Sequence, residues 1–132
     1  MKYFLYLLIA LSSSGCLGQA NYEKELINSK WIAPVSKECI DFYIFKSKQK
    51  VLFYSCELAD TTYGTYKFSN DTLVIREDNP SEGNVIEKWR FKFLMKKNLM
   101  YPISSEQLYN KTWKIQKVNA NKDYIFKKTN SE

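Results

Sequence analysis

Residues 66–75 read Tyr66-Lys67-Phe68-Ser69-Asn70-Asp71-Thr72-Leu73-Val74-Ile75. Two alternating segments flank Asn70-Asp71, residue types that favour tight turns. With Ser69 opposite Thr72, Phe68 meets Leu73 and Tyr66 meets Ile75. One face of this hairpin is then wholly apolar, as in an antiparallel pair with one side against a core. Gly64, just upstream, marks a bend or a bulge.

The same period of two extends in both directions. From Val85 onward, Trp89, Phe91, Phe93 and Met95 alternate with Lys88, Arg90 and Lys92. A tight turn at Lys97-Asn98 leads to Leu99-Met100-Tyr101, and Asp78–Asn84, with Pro80 and Gly83, forms a longer loop. Ser104-x-x-Gln107 matches a capping box and predicts one short helix. Thr112–Val118 and Tyr124–Lys127 predict a last hairpin around Asn119-Ala120-Asn121. Upstream, Trp31-Ile32-Ala33 opens the first strand, which Pro34 halts. These spacings predict an all-β fold over residues 29–128. It is an antiparallel meander of eight or nine strands that closes into a small barrel and so removes its exposed edges. Residues 129–132 form a C-terminal tail.

A further hairpin joins Cys39–Phe45 to Val51–Glu57. With a two-residue turn at Ser47-Lys48, Lys46 opposes Gln49 and Cys39 falls opposite Cys56. Cross-strand neighbours have the spacing that a disulfide needs, which predicts a Cys39–Cys56 bridge. This register puts Ile40, Phe42 and Ile44 on the core side with Val51 and Phe53. It puts Asp41 and Tyr43 on the other side with Leu52 and Tyr54.

Ahead of the domain, Lys2 precedes an apolar run from Tyr3 to Leu11, and small and polar residues lead to Cys16. That order is the pattern of an export signal over residues 1–15. Its apolar part is shorter than the roughly 20 residues that span a bilayer. Ser13-Ser14-Gly15-Cys16 resembles the lipobox of bacterial lipoproteins. In that family the cysteine is acylated and becomes the first mature residue, which implies firm membrane attachment. The alternative is cleavage after Ala20, following the small-x-small sequence Gly18-Gln19-Ala20, which would leave a periplasmic or secreted protein. Both readings leave Cys39 and Cys56 as an even pair in an oxidising compartment. Residues 16–28 read as a linker or short helix, with Leu26 and Ile27 apolar.

The chain has 132 residues, a net charge of +6 and no histidine. Its 16% aromatic content argues against disorder. Without histidine the commonest general base and metal ligand are missing. The four glycines are not spaced as a phosphate loop. The lysines are dispersed, and no basic-aromatic motif points to nucleic acid. No catalytic residue, metal or cofactor is expected.

Gly64-Thr65-Tyr66-Lys67-Phe68-Ser69-Asn70-Asp71-Thr72-Leu73-Val74-Ile75 resembles a hairpin of small lipocalin-like lipoproteins of Bacteroidetes-type bacteria. The resemblance runs from about Leu26 to Lys128 and implies a lipocalin-like barrel. Where the lipocalin first strand carries G-x-W, this chain has Ser29-Lys30-Trp31, and only Lys127 and Lys128 are available to cover the tryptophan. Small barrel lipoproteins that inhibit lysozyme share the length, leader and disulfide, and are a second resemblance. Like charge would slow the encounter of a basic chain with cationic lysozyme.

Asp41 is the candidate binding carboxylate, flanked by Tyr43 and Tyr54 and suited to a cationic or hydroxylated ligand. The simpler reading places it on the solvent side of the sheet. Trp89 and Trp113, like Trp31, are candidates to line a cavity, although such residues more often fill a small barrel. The expected function is a non-enzymatic cell-envelope lipoprotein, anchored to the membrane through Cys16, whose barrel binds a small apolar ligand or an envelope partner. The alternative is an inhibitor or immunity-type protein that blocks a secreted enzyme or toxin through Asp78–Asn84. An enzyme ranks third, with Glu57 and Asp60 as a carboxylate pair.

Overall fold

The hairpin at residues 66–75 forms with the expected pairs: Ser69 opposes Thr72, Phe68 opposes Leu73, and Tyr66 opposes Ile75. Asn70 takes a left-handed φ of 58° at its turn, which asparagine tolerates. The computed structural model describes residues 22–77, 86–116 and 124–130. The leader with Cys16 and Ala20, the Asp78–Asn84 loop and the Asn119–Asn121 turn lie outside the described residues.

A short helix, α1, spans residues 22–26. Among the described residues nine strands follow: β1 (Ser29–Pro34), β2 (Ile40–Phe45), β3 (Lys50–Ser55), β4 (Asp60–Ser69), β5 (Thr72–Glu77), β6 (Ile86–Lys96), β7 (Leu99–Tyr109), β8 (Thr112–Gln116) and β9 (Phe126–Lys128). Eight of them close an antiparallel barrel in the order β6-β5-β4-β3-β2-β1-β9-β7, and β7 pairs back to β6. The remaining strand, β8, is added to the edge of β7. The fold is therefore the small all-β barrel that the spacing of apolar residues predicts.

Three local expectations are corrected. Ser104 and Gln107 do not begin a helix but lie within β7, opposite Lys92 and Trp89 of β6. A ladder along the eleven residues of β6, shifted in register at two points but not ended, outweighs a four-residue capping signal. The irregularity there is a bulge that leaves Ile103 unpaired between Pro102 and Ser104. Second, β8 and β9 do not pair with each other. Both pair with β7, β8 along Ser105–Tyr109 and β9 at Leu99–Met100, and β9 also reaches Trp31 and Ile32 of β1. The hairpin turn lies instead at Asn110-Lys111, where both residues have left-handed φ, 47° and 63°.

The third correction concerns the disulfide hairpin. Tyr43 opposes Phe53 and Phe45 opposes Val51, one residue out of the expected register. The turn holds three residues, Ser47–Gln49, closed by the Lys46 N–H donating to the Lys50 carbonyl at 2.8 Å. Lys48 and Gln49 both adopt φ of 58°, which makes room for the extra residue. A slip of one residue exchanges the faces of a strand. Asp41, Tyr43 and Phe45 therefore point inward with Val51 and Phe53, while Ile40, Phe42 and Ile44 lie on the outer side. The Cys39–Cys56 disulfide forms nonetheless, with Cα atoms 5.5 Å apart. It sits beyond the last ladder pair, Phe42 with Tyr54. There the Asp41 carboxylate accepts the Cys56 N–H at 2.8 Å in place of a ladder bond.

One end of the barrel is sealed. Leu26 of α1, Trp31, Phe45, Leu73 and Met100 are fully buried there. The Trp31 indole N–H donates to Ser29 Oγ at 2.8 Å, and Ser29 Oγ donates to the Leu26 carbonyl at 2.5 Å. Ser29 thus ties the helix that covers this end to the tryptophan that fills it, so both buried polar groups are satisfied. At Gly64 a Cβ would stand 2.0 Å from the Arg76 carbonyl oxygen. Only glycine lets β4 and β5 approach this closely.

Candidate functional site

At the opposite end the interior changes character. The inward positions of β5 run Leu73, Ile75, Glu77, so the apolar row ends in a carboxylate. On β2 the row runs from Phe45 through Tyr43 to Asp41. On β6 it runs from Met95 through Phe93 and Phe91 to Trp89, with Phe91 and Trp89 stacked at 5.9 Å and 3°. Apart from Ser29, the buried side chains of the deep layers are apolar, and the mouth layer holds the acids.

Between the two lies a cavity of about 310 Å³, walled by the rings of Tyr43, Phe53, Phe91, Phe93, Tyr124 and Phe126 and completed by Lys92, Pro102, Ser104 and Ser105. The rings contact one another directly. Tyr43 lies 4.7 Å from Phe53, 4.9 Å from Phe126 and 5.8 Å from Phe93, and Tyr124 lies 5.1 Å from Phe126. Such an aromatic lining suits flat or branched apolar groups.

Asp41 is 6% exposed, which corrects its placement on the solvent side of the sheet. Its Oδ1 takes the Cys56 N–H, and its Oδ2 takes the Tyr124 hydroxyl at 2.5 Å. Burial of a charge is tolerated when hydrogen bonds replace the lost hydration. Burial, followed by the hydrogen bond to Asp41 and the nearby charge, pushes the Tyr124 hydroxyl far above the ordinary tyrosine range. Tyr43 is raised as well, by burial and then by the charges of Glu77, Tyr124 and Asp41. Both phenols remain protonated, and Tyr124 donates to Asp41.

Glu77 is 7% exposed, and neither its Oε1 nor the Thr62 Oγ1 beside it makes a hydrogen bond of normal geometry. Burial pushes the Glu77 carboxyl up to about 7, and the Thr62 hydroxyl offsets only part of that rise. The third buried carboxylate, Glu106, belongs to the outer surface. Arg90 bonds its Oε2, and Lys92 Nζ lies 3.3 Å from Oε1. Although burial opposes it, these two cations hold Glu106 below the ordinary range.

The structure divides the residues singled out from sequence. Asp41, Tyr43 and Trp89 share the interior, while Tyr54 and Trp113 do not. Tyr54 lies on the outer face, stacked on Phe42 at 4.9 Å. Its exclusion follows from the one-residue slip. Trp113 stands opposite Leu108 on β8, outside the barrel, with the Arg90 guanidinium 4.2 Å above its ring. Trp31, 1% exposed, plugs the sealed end. Glu57 and Asp60 lie exposed at the β3–β4 turn, where Asp60 Oδ1 accepts the Thr61 N–H at 2.7 Å. Glu77 and Tyr124 were missed. Glu77 was legible, since it continues the inward phase of Leu73 and Ile75. Nothing local marks Tyr124, whose partner lies 83 residues away. Among the described residues no three of Asp, Glu, Cys or His gather as a metal site. Compared with known proteins, the chain matches no family model, no curated protein and no solved structure.

Proposed function

We propose that this chain is a non-enzymatic, lipid-anchored protein of the cell envelope, of the lipocalin-like type, whose barrel takes a small apolar ligand through its mouth. The observation that carries this reading is the aromatic cavity of about 310 Å³ above a sealed floor. Its volume lies at the lower end of the roughly 300–1,000 Å³ usual for small-molecule sites. The absence of histidine from the chain supports a binding role over a hydrolytic one.

Charge placement supports attachment at the sealed end. Lys24, Lys30, Lys46, Lys48, Lys97 and Lys127 are exposed there, against Glu23, Glu25 and Asp71. A basic surface of this kind is attracted to anionic headgroups, and α1, the described element nearest to Cys16 in sequence, covers this end. The reading then has the sealed end face the bilayer and the mouth face away.

Two measurements test it. Cyclohexylmethanol, an apolar probe without charge, should bind in calorimetry and shift the emission of Trp89. The shift should vanish in Trp89→Phe and survive in Trp113→Phe. For the anchor, Cys16→Ser should release the protein from the membrane fraction. A mature protein beginning at an unmodified Asn21 would refute lipidation. The inhibitor reading draws support from Leu58, which is 77% exposed on the β3–β4 turn beside the disulfide. A protruding apolar side chain on a braced turn suits insertion into a partner's pocket. Tight capture of one secreted enzyme, lost in Leu58→Asp, would favour it.

A further inference from the structure

The mouth is apolar in its walls and acidic at its rim. Asp41 and Glu77 are buried inside the barrel, and no described cation pairs with either; the described ion pairs of a buried carboxylate belong to Glu106 on the outer face. Asp41 has both oxygens engaged, by the Cys56 N–H and the Tyr124 hydroxyl. Glu77 does not: its Oε1 is enclosed without a hydrogen bond, and the neighbouring Thr62 hydroxyl offsets only part of the cost of its burial. Buried polar atoms nearly always find partners, so a buried carboxylate oxygen without one marks a place prepared for a donor. Glu77 faces inward in phase with Ile75, and its charge is felt by Tyr43 and Tyr124, which wall the cavity.

A ligand that satisfies these groups must donate hydrogen bonds, and positive charge would add to its affinity. Its body must be apolar and small enough for about 310 Å³. The ring faces carry negative charge density and also favour a cation. An anionic ligand such as a fatty acid would bring a third carboxylate beside two that already lack a countercharge. We propose that the barrel mouth binds a small organic ammonium ion, with its apolar body between Tyr43, Phe53, Phe91 and Phe93 and its N–H groups on Glu77 and Thr62. This rests on the reading of the cavity as a ligand site and adds the charge class of the ligand.

Three probes of one shape separate the possibilities: cyclohexylmethylamine, cyclohexylmethanol and cyclohexanecarboxylate, titrated calorimetrically into the disulfide-intact protein at pH 8. A hydrogen bond to a charged group contributes about 1.5–3 kcal/mol, so the amine should bind roughly ten- to a hundredfold tighter than the alcohol. The carboxylate should bind weakest. In Glu77→Gln the amine should lose that advantage while the alcohol keeps its affinity, and an unchanged cavity would be evident from that retained binding. Equal binding of amine and alcohol, strongest binding of the carboxylate, or an amine preference that survives Glu77→Gln would each overturn the proposal and leave the apolar-ligand reading standing. If none of the three binds, both readings fall together.

Discussion

The Tyr124 hydroxyl donates to Asp41 Oδ2 at 2.5 Å and joins the chain entering β9 to the end of β2. With Oδ1 held by the Cys56 N–H, a single carboxylate fastens three segments at the mouth of the barrel. Two variants separate its contributions. Tyr124→Phe removes one charge-assisted bond and should lower the unfolding free energy by about 1.5–3 kcal/mol in urea titrations. Asp41→Ala strands both donors and should lower it by more. Equal losses would mean that the Cys56 N–H bond contributes nothing.

The disulfide closes a short loop, since its cysteines are 17 residues apart in sequence. The intact mass should rise by two protons on reduction. Reduction should also lower stability by about 3 kcal/mol, the loop-entropy value for this length. Thiols that alkylate in the native, unreduced protein would contradict the bridge.

Glu77 sets a pH dependence. Its carboxyl is raised from 4.5 to about 7 in the folded protein. The folded state therefore holds this proton more tightly than the unfolded state. The stability linked to it is present in full below pH 4.5 and is lost as pH rises through about 7. The shift corresponds to about 3 kcal/mol. The groups around Glu77 are Thr62 on β4, Trp89 on β6, and Tyr43 and Tyr124 across the mouth. Neither tyrosine titrates in this window, because both are raised above their ordinary range. Thermal melts from pH 5 to 8 should show the wild type losing stability relative to Glu77→Gln. A constant difference between the two proteins would show that Glu77 does not titrate there.

Gly64→Ala tests the approach of β4 and β5. The added Cβ would meet the backbone of Arg76, which cannot rotate away as a side chain would. Overpacking of this kind typically destabilises by about 1–3 kcal/mol. The substitution should lower the melting temperature, and wild-type stability would show that the strands separate easily.

Local pattern was enough for the architecture. Period-two alternation in residues 66–75 and 89–95 set both strands and their inward faces, because an apolar row must find a core wherever the chain folds. Two-residue turns at Asn70-Asp71 and Lys97-Asn98 then set the register of β4–β5 and β6–β7. The cysteine pair was legible too, since both candidate registers bring Cys39 near Cys56. Tertiary structure decided the rest. Whether the Ser47 turn holds two residues or three depends on left-handed backbone at Lys48 and Gln49, which no side chain there announces. That one residue decided that Asp41 and Tyr43 face the interior and Tyr54 does not. The sequence by itself determined an aromatic antiparallel barrel with a bridged hairpin, because periodicity and turn chemistry are local. Only the closed barrel could bring Asp41 to Tyr124 and enclose the Glu77 Oε1 without a hydrogen bond, because those relations join β2, β5 and the chain before β9 across the mouth.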